Sequence, residues 1–264
     1  MFGRPGACLF LAATAVAWAC GAGPVRWSDP VASSAAPGET ELGVDSVGRA
    51  SWRAVAASQA RTEQPGACAA SIRARAGTTA LYAAWWTVRH DSSALLYAGR
   101  SVDAGATWAR VTIVDSADAS RTGCRRPAPS IAVVGDDVFV AYAMKAVDGT
   151  GVFFAHSMDG AVMFHAPVPI IYGDRLVPTA VASDGQRVAV AYEEPNGPSR
   201  GVSVAVSRTQ GHIFEARAVA SAQTQSFAVP HVAIAGRTIA VGWTVQPSGG
   251  HGALAVTRIG RMAD

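Results

Sequence analysis

Arginine is the residue type through which this sequence can do most chemistry: all of its 22 basic residues except Lys145 are arginines. Two of them, Arg126 and Arg175, each stand three residues ahead of a proline in the matching segments Arg126-Pro-Ala-Pro-Ser-Ile-Ala-Val and Arg175-Leu-Val-Pro-Thr-Ala-Val-Ala. A guanidinium is planar and always charged, and two of them can hold one carboxylate through parallel hydrogen bonds. Arg126 and Arg175 are therefore the candidate ligand-binding pair, against the plainer alternative of solvent-facing loop arginines. Cys68 and Cys124 can form a disulfide in an oxidising compartment, or remain two buried thiols. No CxxC or Cys/His spacing suggests a zinc site, so neither a metal nor a cofactor is expected. The net charge is only +3 and the basic residues are scattered without stacking aromatics, which argues against nucleic acid as a partner.

The elements that must position these residues repeat along the chain. The two Arg segments align with Phe227-Ala-Val-Pro-His-Val-Ala-Ile, and an earlier copy without the Pro starts near Cys68. Each is followed by a turn and a second alternating run that closes on an aromatic, at Trp85, Tyr142, Tyr192 and Trp243, a spacing of about fifty residues. Period-two runs of Val, Ile, Tyr and Phe between turn residues read as short antiparallel strands. In the second unit the strands are expected at Ser130 to Val134, Val138 to Met144, Gly151 to His156 and Phe164 to Ile171. Four strands in about fifty residues is the pattern of a propeller blade. The fold expected is an all-β propeller of four-stranded antiparallel blades, with four blades, or five if residues 21 to 64 hold further strands.

The third and fourth strands of each unit are joined by a more specific segment. Ser101-Val-Asp103-Ala-Gly105-Ala-Thr107-Trp108 fits S-x-D-x-G-x-T-W throughout. Worn copies stand at Ser157, Asp159 and Phe164 and at Ser207, Gly211 and Phe214. Asp accepts hydrogen bonds from its own turn, Gly permits a positive φ and the aromatic seats the turn on the sheet, which makes Asp103 a turn clasp and not a catalytic acid. This is the Asp box, or BNR repeat, and from about residue 45 onward the chain resembles the sialidase superfamily of β-propellers.

That resemblance implies a ligand face opposite the boxes, with arginines on the loops leading into first strands and a Tyr nucleophile paired with a Glu, plus a separate Asp acid/base. The matching positions are Tyr192 and Glu193, after a second strand, and Asp91 in the equivalent loop of the first repeat. Adjacent strand residues point to opposite faces, so Tyr192 and Glu193 pair only if the strand has already ended. The chain departs from the family where the third clamp position is Phe227, where the first repeat offers Ala67, and in lacking the family's Arg-Ile-Pro. Four units are also fewer than the six blades of the catalytic sialidases, which favours binding over hydrolysis.

At the N-terminus, Arg4, the uncharged run Ala7 to Ala19 and the A-x-A segment Ala17-Trp18-Ala19 read as a signal peptide over residues 1–19. Cleavage there leaves Cys20 first, which resembles a lipobox, so Cys20 is a candidate lipidation site and the chain is either anchored to a bacterial envelope or secreted. Residues 20–44 read as a flexible tether and 45–264 as the propeller. Residues 45 to 58 are expected to supply the strand that completes the last blade. The function expected is an exported, non-catalytic propeller that binds an acidic glycan or an extracellular or envelope protein. The alternatives are an exo-sialidase-type hydrolase and an assembly module of the envelope. A membrane is a partner only through an anchor at Cys20.

Overall fold

The computed structural model describes residues 25–34, 40–54, 60–198, 200–221, 229–245 and 254–263. The signal segment and Cys20 lie outside the described residues. The chain is all-β, with one 3-10 turn at Ala69–Ser71 among the described residues. No helix among them is long and apolar enough to cross a membrane. Four short strands come first: β1 (Val25–Trp27), β2 (Val31–Ser34), β3 (Thr40–Val44) and β4 (Ala50–Ala54). Blade I is β5 (Arg73–Ala76), β6 (Leu81–Val88), β7 (Ala94–Ser101) and β8 (Arg110–Asp115). Blade II is β9 (Ser130–Val134), β10 (Asp137–Ala146), β11 (Gly149–Ser157) and β12 (Val168–Tyr172), and blade III is β13 (Thr179–Ser183), β14 (Val188–Glu193), β15 (Val202–Ser207) and β16 (Ala216–Val219). Blade IV takes β17 (Val229–Ala235), β18 (Thr238–Val245) and β19 (Leu254–Met262).

Every neighbouring pair within these sheets is antiparallel. The molecule is a β-propeller, and its packing explains why the middle strands read as unbroken apolar runs. On β6, Tyr82, Ala84 and Trp86 pack toward blade II, while Ala83 and Trp85 pack on the opposite side of the sheet. On β14, Val188, Val190 and Tyr192 face blade II, and Ala189 and Ala191 face blade IV. Alternate side chains point to alternate faces, and here both faces are interior. The core is thus a series of sheet-on-sheet seams rather than one central mass.

Blade IV is completed from the N-terminus, but by a different segment from the one expected. β1 and β2 pair with β19, Val25 opposite Met262 and Val31 opposite Thr257. Residues 20–44 are accordingly not a tether over their described part, which holds three strands, and the propeller begins by Val25. Gly260 makes room for this pairing: a Cβ there would lie 2.4 Å from Val25 and 2.7 Å from Trp27.

Residues 45–54 instead belong to the hairpin β3–β4, whose turn is clasped by Asp45 Oδ1 accepting the N–H groups of Val47 and Arg49. The hairpin packs on blade IV through Leu42 and Trp52, and Trp52 Nε1–H donates to Thr257 Oγ1 at 2.7 Å. Glu41 reaches Arg75 of β5 at 3.7 Å, so the hairpin stands between the last blade and the first, in the place of a fifth, two-stranded blade.

The connections sort the loops onto two faces. The loops into first strands and those between second and third strands form one face, where the Cys68–Cys124 disulfide, with Cα atoms 5.5 Å apart, ties the approach to blade I to the approach to blade II. The turns between third and fourth strands form the other. There Asp103 Oδ1 accepts from Ser101 Oγ–H at 2.7 Å and Thr107 N–H at 2.9 Å, and its Oδ2 from Thr107 Oγ–H at 2.6 Å. Those bonds, the one from Thr107 Oγ–H foremost, lower the carboxyl pKa to about 2. Asp159 does the same work with the N–H groups of Val162 and Met163, and in blade III Thr209 Oγ1 replaces the carboxylate, accepting from Ile213 N–H at 3.0 Å.

Candidate functional site

The loop face gathers polar groups on blade III at the seam with blade II. Tyr192, Ser203 and Arg217 lie on one face of three adjacent strands, because Tyr192 pairs with Ser203 and Ala205 with Arg217. Glu194, just past the end of β14, turns its carboxylate onto the same face. There it accepts from Ser203 Oγ–H at 3.1 Å and forms an ion pair with Arg217, whose side chain is 47% exposed. From the loop ahead of β13, Arg175 donates Nη2–H to the Glu194 backbone carbonyl at 2.6 Å. Both arginines therefore meet on one residue. The Tyr192 hydroxyl is buried beside Arg217, and the Arg175 Nε is buried without a hydrogen-bond partner. Burial pushes the Tyr192 phenol well above its ordinary pKa, against the opposing pull of the Arg217 charge.

The arginine pair expected from the repeats is split. Arg126 is turned inward, its side chain fully buried, with Nη1 at 2.8 Å from Asp118 Oδ2, Nε–H on the Gly123 carbonyl at 2.8 Å and the guanidinium 5.1 Å from the Trp86 ring centre. It is a structural cation and not a ligand clamp. Its partner Asp118, also buried, further accepts the Ala94 and Lys145 N–H groups, and so fastens the loop that follows β8 to blades I and II.

The Tyr, Glu and Asp set is also dispersed. β14 runs through Glu193, so Glu193 faces away from Tyr192 and pairs instead with Arg200 at 3.4 Å. The carboxylate that shares Tyr192's surroundings is Glu194. Asp91 is exposed in the β6–β7 turn of blade I and accepts both the N–H and Oγ–H of Ser93, at 3.0 and 2.6 Å. Those bonds hold its pKa below the ordinary carboxylate value, opposite to what a general acid needs. Glu194, Ser203 and Arg217 had no mark in the sequence beyond polarity. Their meeting depends on strand register, which the Tyr-Glu-Glu tripeptide alone does not reveal.

On the opposite face, a cleft of about 390 Å³ between blades I and II is lined by Tyr82, Arg100, Arg110, Asp136 and Asp159 among others. Among the described residues one group is spaced to hold a metal ion: His156, His165 and His212, beside the turns of blades II and III.

No protein-family model matches the chain, and no curated protein matches it. Solved structures do. A protein of unknown function from Dyadobacter fermentans is 15% identical over 72% of this chain and 52% of its own, with a TM-score of 0.50. The sialidase of Trypanosoma rangeli is 12% identical over 83% of this chain and 40% of its own, with a TM-score of 0.46. A xylan β-1,4-xylosidase from Bacillus halodurans is 12% identical over 89% of this chain and 52% of its own, with a TM-score of 0.45. The chain spans about half the length of these proteins, or less. At such identities the likeness is one of fold.

Proposed function

We propose that this chain is an exported, carbohydrate-related propeller that binds an acidic glycan, without hydrolysing it, at the blade III site of Arg175, Glu194 and Arg217. The observation that carries this reading is the meeting of two arginines on Glu194 at a loop-face edge, with the buried Arg175 Nε left without a partner. A carboxylate arriving there competes with Glu194 for the half-exposed Arg217 and forms the charge-assisted bonds that guanidinium groups favour. The S-x-D-x-G-x-T-W turn, shared with the sialidase superfamily, directs the choice toward a glycan. The disulfide supports an oxidising compartment, and with it the signal-peptide reading of residues 1–19 and either a lipid anchor at Cys20 or secretion.

The test is binding of sialylated and uronic-acid glycans on an array, followed by calorimetry. Arg175→Ala combined with Arg217→Ala is expected to weaken binding about ten- to a hundredfold, as the loss of hydrogen bonds to a charged group does. Unchanged affinity in that variant would remove the site. Hydrolysis of sialidase type draws on the adjacency of Tyr192 and Glu194, but the raised phenol pKa opposes a nucleophilic role and Asp91 is tied into its own turn on another blade. Release from a fluorogenic sialoside above blank, lost in Tyr192→Phe, would restore the hydrolase reading.

A further inference from the structure

Three of the chain's six histidines meet at the seam between blades II and III, on the face opposite the proposed glycan site. His156 lies on β11, and its ring packs beside those of Phe139 and Phe154, with ring centres 6.3 and 5.7 Å away. His165 follows the blade II turn and stacks on His156 with ring centres 4.5 Å apart, its backbone N–H bound to the His156 carbonyl. His212 comes from the blade III turn, 4.6 Å from His156 and 5.2 Å from His165. What brings it there is Gly211, whose φ of +93° and lack of a Cβ let the turn press onto Phe154; a Cβ would sit 2.2 Å from that ring.

The arrangement has the marks of a ligand set. His156 is 2% exposed, yet its Nε2 has no hydrogen-bond partner, an arrangement that costs free energy unless something fills it. His212 Nδ1 lies 2.7 Å from the Thr209 carbonyl, so it carries the proton there and leaves Nε2 as the free lone pair, which is how a metal-bound imidazole is usually oriented by its outer neighbour. The three candidate nitrogens lie within 4.8 Å of one another. A tetrahedral zinc ion, with Zn–N bonds of about 2.0–2.1 Å, needs them about 3.3 Å apart. His165 and His212 are exposed and their rings can swing through the difference; His156 is the fixed anchor.

We propose that His156, His165 and His212 form a binding site for a divalent transition-metal ion of the kind imidazole favours, zinc first, with a fourth position open to water or to a donor from outside. The ion joins the outer strands of blade II to the turn of blade III, as the disulfide joins blades I and II on the other face. The three histidines stand in two different repeats, so close Cys/His spacing, on whose absence the expectation of no metal rested, does not mark them.

The experiment uses the tag-free, metal-stripped chain, titrated with zinc in a calorimeter and with cobalt(II) in a visible spectrometer. One equivalent of zinc is expected to bind and to raise the melting temperature, and cobalt to show the intense visible bands of a four-coordinate site. His165→Ala and His212→Ala alter exposed side chains, so circular dichroism should stay unchanged. Each should weaken zinc binding at least about tenfold, the scale on which even an outer neighbour acts, and the double variant should bind none. Absence of saturable 1:1 binding, or an affinity in both single variants unchanged from that of the native chain, would overturn the site. His156→Phe is not needed, which keeps the test independent of the buried position.

Discussion

Arg126 and Arg175 hold the same place in their repeats and have opposite fates, and the difference lies in the loops before them. The loop between β8 and β9 is long enough to carry Asp118 into the interior, where it gathers Arg126 and several backbone N–H groups. The short loop between β12 and β13 leaves its one acid, Asp174, exposed at the surface, and Arg175 reaches instead for the Glu194 carbonyl. Removing one partner from a buried pair leaves an uncompensated charge. Asp118→Ala is expected to lower stability by about 3–5 kcal/mol, read from equilibrium urea denaturation. Asp118→Leu with Arg126→Met should recover much of it, because no charge is left buried. If the single variant costs no more than an ordinary surface change, the pair is not the anchor its burial implies. The repeat position of the Arg is legible in adjacent residues, whereas a side chain's partner across eight residues of loop has no periodic signal.

At the scale of elements, the hairpin β3–β4 is the part whose docking can be tuned from outside. His231 on β17 meets Trp52 of β4 edge to face, with ring centres 4.8 Å apart. Burial, with a smaller contribution from the Arg75 charge, lowers the His231 pKa from 6.5 to about 4. The unfolded chain takes up this proton near pH 6.5 and the folded chain only near 4, so the neutral ring's contribution is whole above pH 6.5 and is lost as pH falls through 4. The melting temperature should fall across that window, and the His231→Gln variant should show a shallower fall. Parallel curves for the two proteins would show that His231 does not govern the docking. Elements of this kind divide sharply in legibility. Blade II's first strand stands at Ser130–Val134 as its alternation predicts, whereas its fourth begins later than Phe164, at Val168, because the turn after Ser157 extends further than its motif. Val25–Trp27 and Val31–Ser34 are too short and too polar in context to stand out, and they become strands because β19 offers them an open edge.

For the whole molecule, the disulfide spans 56 residues and joins two blade approaches that also share a core seam. Closing a loop of that size is worth about 4 kcal/mol in chain entropy, and 2–4 kcal/mol is the usual measured range. Cys68→Ala with Cys124→Ala is expected to lower stability within that range, and reduction of the native chain should lower the melting temperature by a matching amount in calorimetry. A chain indifferent to reduction would place the weight of the blade I–II seam on its apolar contacts alone. By itself the amino-acid sequence determined the blades: period-two strands and Asp-clasped turns are local, and each is written in adjacent residues. Only the tertiary structure decided which polar groups meet, from Glu194 with two arginines to three histidines at one seam. Those meetings are set by register and by sheet-on-sheet packing between segments far apart in the chain, and no local pattern encodes either.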